Sequence, residues 1–240
     1  PPQVDYIFHL AGIEAYINGL DVSLETLLVN SLGSRELLEI AKNQQAKFLL
    51  ASTADIFSGF ISQKNLNQYF GSDHKDEEVY SHHEAKRFSE ALTFEYLNRY
   101  QIDARVVRLA NVYGPHMDLS SGQEISQLFQ AVKTGRNLKV SGQGLTPLYP
   151  TYISDIVYGL TKAMFSQSSS GHIYTLIDPN KTTSLNFATA IKAALPDKDI
   201  KIEFASDTQD PAVLNLSEAV LESQTALGWL PKVSLQQGIS

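Results

Sequence analysis

The sequence predicts an α/β protein built on a parallel sheet, and three observations carry that expectation. Apolar strand patterns at residues 4–11, 47–52 and 103–109 alternate with longer stretches of helical spacing. Residues 23–43 place apolar side chains at 24, 27, 28, 32, 37, 38 and 41, and the stretch from Tyr80 onward sets His82 and Lys86 one helical turn apart. The strands at 47–52 and 103–109 also run into polar turns, Ser52-Thr53-Ala54-Asp55 and Ala110-Asn111-Val112-Tyr113-Gly114-Pro115. Turns at the carboxyl ends of strands are where open α/β sheets bind ligands.

Taken in order, VDYIFHLA at residues 4–11 reads as a buried strand behind Pro1 and Pro2. Residues 23–43 form an amphipathic helix with a bend expected near Gly33. The strand at 47–52 delivers Ser52, Thr53 and Asp55 to its end. Residues 59–78 are polar, and the run from Asp73 to Glu78 lacks the fixed ligand spacing of a metal site, so a solvated loop and no metal are expected. His116 and His172 read as ordinary polar residues. Beyond Pro115 the pattern shortens: a helix at 125–134, a strand at 138–140, a Gly/Pro-marked loop at 141–150, and a helix from Asp155 to about residue 167. A strand at 173–176 follows, then a helix capped by Ser184 and stopped by Pro196, and a last helix from Ser217 to Gly228-Trp229.

Composition narrows the function. With 240 residues, 43% of them hydrophobic, the chain can bury one substantial core, or one domain with a smaller lobe. A net charge of −7 argues against a nucleic-acid surface, which needs clustered lysine and arginine, so a phosphate would have to be held locally. No apolar run is long enough to cross a bilayer, and no membrane partner is expected. Without cysteine there is no disulfide or thiolate chemistry, which accords with a cytoplasmic home.

Several strings carry a resemblance. Arg108, Asn111, Val112, Tyr113, Gly114 and Pro115 match R-x-x-N-V-Y-G-P, and Lys86 matches the lysine of Y-x-x-x-K. Asn30, Gly33 and Ser34 stand at N-x-x-G-T, and Thr53 is the hydroxyl of S-[ST]-x-x-V-Y-G. Gly142, Gly144, Tyr152 and Asp155 keep part of G-D-G-x-x-x-R-x-F-x-Y-V-x-D, and the closing LGWLPKVSLQQG is close to L-G-W-x-P-x-x-S-L-x-x-G. On these strings the sequence resembles the extended short-chain dehydrogenase/reductase family, the NAD-dependent epimerases, dehydratases and decarboxylases of sugar nucleotides.

The resemblance implies a Rossmann-like doubly wound parallel sheet over residues 1–115, binding NAD, and a smaller α+β lobe over 116–240, interleaved with it and binding a nucleotide sugar. It puts Leu10, Ala11, Asn30, Ser52 and Lys86 beside the cofactor, with Lys86 on the nicotinamide ribose. Thr53 orients the substrate, while Asn111 and Asp55 face it. It also implies a homodimer through the helices at 23–43 and 84–100.

The departures are as informative. His82 stands where the catalytic tyrosine belongs, and the nearest tyrosine, Tyr80, lies six residues before Lys86, so either His82 or Tyr80 is the candidate base. Leu148 occupies the position of a substrate-phosphate arginine, Ala212, Val213 and Asn215 lie where a second is usual, and Ala54-Asp55 keeps half of an acidic pair. A glycine-rich G-x-x-G-x-x-G turn occurs nowhere. Two strand-helix units are therefore expected ahead of Pro1, since residues 4–11 would otherwise leave an apolar strand at an open edge. Two readings stand: an NAD-dependent enzyme of this family, or a non-catalytic member that binds a nucleotide or a partner subunit.

Overall fold

The computed structural model describes residues 2–13, 16–17, 20–56, 80–205 and 217–240. The loop expected at 59–78 and the positions Ala212, Val213 and Asn215 lie outside the described residues. The first part of the chain comprises β1 (Tyr6–His9), β2 (Tyr16–Ile17), β3 (Leu20–Asp21), α1 (Ser23–Gln44), β4 (Lys47–Thr53), α2 (Tyr80–Tyr100), β5 (Ala104–Leu109) and β6 (Val112–Tyr113). Next come α3 (Glu124–Lys133), β7 (Leu138–Val140), β8 (Pro147–Leu148), β9 (Thr151–Tyr152), α4 (Ile153–Phe165) and β10 (Ile173–Leu176). The remainder is β11 (Thr182–Thr183), α5 (Ser184–Ala193), β12 (Ile202–Phe204), α6 (Ser217–Leu227) and α7 (Leu235–Ile239).

Strands β1, β4, β5 and β10 lie side by side in that order, every neighbour parallel. Parallel neighbours cannot be joined by tight turns, so helices make the crossings. Side chains alternate along each strand: Phe48, Leu50 and Val106 pack in one cluster with Leu38 and Ala41 of α1 and Tyr96 of α2. Leu49 and Val107 point the other way, into Ile156, Leu160 and Met164 of α4, Leu227 of α6 and Trp229. Both faces of β4 are covered, which explains its apolar run from Phe48 to Ala51, whereas β1, expected to be buried, leaves Tyr6 and Phe8 exposed at the edge. The doubly wound α/β class expected from the sequence is the one observed.

Some local expectations are corrected. Thr183, not Ser184, caps α5: the Thr183 hydroxyl accepts from the Asn186 N–H at 3.2 Å, while the Ser184 hydroxyl donates to Glu124 Oε2 at 2.8 Å. The stretch at 141–150 is more than loop, because β8 pairs with β11. Helix α7 closes the chain with a reciprocal cap between Ser234 and Gln237, a Ser-x-x-Gln signature present in the sequence.

A second core, built on Tyr113, Leu128, Leu138, Leu148, Phe187 and Ile191, lies among α3, α5, β7 and β8. The tail then returns to the main sheet. Trp229 is fully buried and donates its indole N–H to the Asp155 carbonyl at 2.9 Å, and Asp155 Oδ2 accepts from the Lys232 and Val233 N–H groups, each at 2.9 Å. A Cβ on Gly159 would come within 2.5 Å of Leu176 and 2.9 Å of the indole nitrogen, so only glycine lets α4 approach this closely. Because β1, β4 and β5 are parallel, the turns that follow them share one edge of the sheet.

Candidate active site

Helix α2 meets that edge at its first two turns, and it is anchored a little further along. Ser89 is buried, and its hydroxyl is shared between the Ala85 carbonyl of its own helix at 2.8 Å and the Asn30 carbonyl of α1 at 2.9 Å. Glu90 holds Arg108 of β5 through two bonds, Nε to Oε1 at 3.0 Å and Nη2 to Oε2 at 2.6 Å. Their side chains are 8% and 15% exposed, so the pair is largely removed from water. Arg87 adds bonds to the Ile56 carbonyl and to Glu84.

Lys86 is buried on this helix and donates its ammonium to the Ala51 carbonyl of β4 at 3.0 Å. A Cβ on Gly12, in the turn after β1, would lie 3.2 Å from Lys86 Nζ and 3.1 Å from Asn30 Oδ1. The ammonium therefore sits between the ends of β1 and β4. Thr53 ends β4 two residues after Ala51; its hydroxyl donates to Asp55 Oδ2 at 2.9 Å and accepts from the Asp55 N–H at 3.1 Å. Lys86 and Thr53, distant in sequence, meet at one edge of the sheet.

The other predicted residues fall around this pair. His82 Nδ1 lies 3.2 Å from the Ile13 carbonyl, in the same turn as Gly12. Asn30 is buried, and its carboxamide clasps the Ile13 peptide twice, Oδ1 accepting from the N–H and Nδ2 donating to the C=O, both at 2.9 Å. Leu10 and Ala11 are exposed just before Gly12. Ser52 is buried and follows Phe48 and Leu50 onto the α1/α2 side of the sheet. Tyr80 is the first residue of α2, and its side chain lies outside what is described. Asn111 adopts a left-handed φ of 46°, and its Oδ1 accepts from the Tyr149 N–H at 2.9 Å, tying the turn after β5 to the turn between β8 and β9. Asp55 is exposed beyond Thr53.

Two histidines absent from the sequence-based site also belong here. His9 ends β1 with its Nε2 at 2.8 Å from Ser34 Oγ, whose proton goes to the Asn30 carbonyl at 2.7 Å. Burial, with the Lys86 charge second, pushes the His9 pKa down to about 4, so it is neutral at physiological pH. Burial also lowers His83, against the opposing pull of Asp55. Among the described residues no group of three or more histidines and carboxylates could hold a metal ion.

The model of the NAD dependent epimerase/dehydratase family matches residues 2–176 of the 240. The chain belongs to that family. Among curated relatives of the family, UDP-glucuronic acid decarboxylase 4 of Arabidopsis thaliana is 28% identical over 239 residues, covering 99% of this chain and 53% of its own length. UDP-glucuronic acid decarboxylase 1 of Xenopus tropicalis is 29% identical over 238 residues, covering 99% and 56%. The chain thus spans about half the length of the curated relatives it matches.

Solved structures carry the same fold. Pal from Bacillus thuringiensis superposes with a TM-score of 0.79 at 20% identity, covering 99% of this chain and 74% of its own. The UDP-glucuronic acid 4-epimerase of Bacillus cereus, in complex with UDP-glucuronic acid and NAD, gives 0.76 at 19%, covering 98% and 73%. NAD is the cofactor of the family. The residues at the sheet edge fit such a group: the Ser52 hydroxyl is buried with no hydrogen-bond partner among the described residues, and Lys86 brings a cation to the glycine turn. A polar atom in that position calls for a ligand or water.

Proposed function

We propose that this chain provides the reacting edge of an NAD-dependent oxidoreductase acting on a nucleotide sugar, of the epimerase, dehydratase or decarboxylase kind, with His82 as its proton acceptor. The observation that carries the reading is the meeting of Lys86, Gly12, Ala51 and Thr53 where β1 and β4 end. NAD, when bound, supplies a hydride acceptor. On this reading Lys86 and Ser52, with Leu10, Ala11 and the Asn30-held turn, address the cofactor. Thr53 has one hydroxyl lone pair beyond its two bonds to Asp55, and with it accepts a sugar hydroxyl proton donor. Residues 1–115 would supply the cofactor side, and residues 116–240, through Asn111's link to Tyr149, the substrate side. The names of the relatives make a uridine diphosphate sugar the first substrate to test.

One observation favours a second reading, a binding protein without turnover. Leu148, at the arginine position of the resemblance, is buried in the second core and paired with Thr182, so no cation stands at that position. The two readings separate in one experiment on the full-length protein. Calorimetric titration measures NAD binding, and the absorbance of reduced nicotinamide is followed across a panel of uridine and thymidine diphosphate sugars. Reduction supports the enzyme, binding without reduction supports the second reading, and the absence of both removes the two together. Lys86→Met is expected to weaken NAD about 10–150-fold, the factor for losing a charged hydrogen bond of roughly 1.5–3 kcal/mol, with circular dichroism unchanged. Unaltered affinity would take Lys86 off the cofactor side.

A cytoplasmic homodimer is part of the same proposal. Leu24, Leu28 and Leu32 recur every four residues on α1, 64%, 46% and 49% exposed, and Phe88 of α2 is exposed as well. An apolar helix stripe of this length facing water suits a second copy related by a two-fold axis. Multi-angle light scattering at micromolar concentration is expected to give twice the chain mass, and Leu28→Glu to give the monomer. A monomeric wild-type protein would end the dimer proposal.

A further inference from the structure

We propose that the Ile13 carbonyl, aimed by the Asn30 carboxamide, holds His82 as its Nδ1–H tautomer and so makes Nε2 the proton-accepting atom of the site. Asn30 is then a positioning residue. The inference rests on the reading of His82 as the base and specifies the atom that does the work.

A carbonyl oxygen has lone pairs and no proton, so a ring nitrogen bonded to it must be the donor. His82 Nδ1 faces the Ile13 oxygen at 3.2 Å and therefore carries the hydrogen. In neutral imidazole only one nitrogen is protonated, which leaves Nε2 as the basic atom. The second lone pair of the same oxygen takes the Asn30 Nδ2–H at 2.9 Å, and Asn30 Oδ1 takes the Ile13 N–H at 2.9 Å. Asn30 thus holds Ile13 on both sides of its Cα, the N–H in one peptide plane and the C=O in the next, and the Nδ2 bond is the one that fixes the direction of the carbonyl.

The grip itself is braced. Asn30 is 2% exposed, and its own carbonyl accepts the hydroxyls of Ser34 in α1 and Ser89 in α2 at 2.7 and 2.9 Å. Ser89 lies on the helix that carries His82, so the histidine and the carbonyl it addresses are both referred to Asn30. Gly12 completes the fit, since a Cβ there would approach the Asn30 Oδ1 to 3.1 Å and press on the carboxamide.

Two-bond proton–nitrogen correlation spectra of the nitrogen-15-labelled full-length protein test this directly. The His82 pattern, assigned by its disappearance in His82→Gln, is read on the alkaline side of its titration. The wild type is expected to show a pyrrole-type Nδ1 and a pyridine-type Nε2, with about a fivefold to tenfold excess of that tautomer, as one ordinary hydrogen bond gives. Asn30→Asp keeps the acceptor for the Ile13 N–H but sets a carboxylate oxygen against the Ile13 carbonyl, and is expected to move the ratio toward an even mixture; Asn30→Ala should do the same where it folds. A protonated Nε2 in the wild type, or an unchanged ratio in folded Asn30→Asp, would overturn the proposal. The expected tautomer in a protein that turns over no sugar nucleotide would uphold it while removing the enzymatic reading, so the two failures remain distinguishable.

Discussion

Glu90→Ala is expected to destabilise the protein by about 3 kcal/mol, seen as a lower urea midpoint at unchanged slope. The substitution removes both Glu90 bonds to the Arg108 guanidinium and leaves a cation only 15% exposed without that carboxylate. Breaking a buried pair from one side costs about 3–5 kcal/mol, and the partial exposure of Arg108 puts this case at the lower end. Replacing both residues, as Glu90→Leu with Arg108→Met, should cost much less than the single change, because the desolvated charge goes with its partner. A single variant that unfolds at the wild-type midpoint would contradict this account of Arg108, which stands in a motif that invites a ligand role yet here joins α2 to β5.

Trp229→Ala is expected to cost about 3–5 kcal/mol, the range for emptying an aromatic site in a packed core. Trp229 is fully buried against α4, β10 and Gly159, and its N–H serves the Asp155 carbonyl. The loss would spread, since Asp155 also receives the Lys232 and Val233 N–H groups and so joins the tail to the start of α4. Trp229→Phe, which keeps most of the packing, should cost roughly 1–2 kcal/mol more for the lost hydrogen bond than for shape. Chemical denaturation of both variants checks the order, and an Ala variant as stable as the Phe variant would argue that the tail is loosely seated.

The parallel sheet was legible because strands covered on both faces carry apolar residues on successive positions, as Phe48 to Ala51 and Val106-Val107 do, and because the helix before β4 keeps a near 3.6-residue period. Of the candidate residues, Lys86 and Thr53 could be placed near the end of one strand from the sequence, and the structure has the Lys86 ammonium on the Ala51 carbonyl two residues before Thr53. The rest of the site was not legible where the partner is backbone. His82 and Asn30 both address the peptide of Ile13, and a peptide group leaves no trace in residue identity. Adjacent hydroxyls misled for a similar reason. Thr183 and Ser184 are equally good caps on paper, and only the nearby Glu124 carboxylate decides which one is free to cap. Tyr113, prominent in its motif, is a core aromatic 1% exposed, its phenol pushed up to about 12 chiefly by burial and then by Asp178, Tyr152 and Asp155.

The moorings of α2, Ser89 on Asn30 and Glu90 on Arg108, lie about two turns beyond His82. A substitution at residue 82 therefore leaves these moorings in place, whereas one at 89 or 90 loosens the seat of the whole helix on α1 and β5.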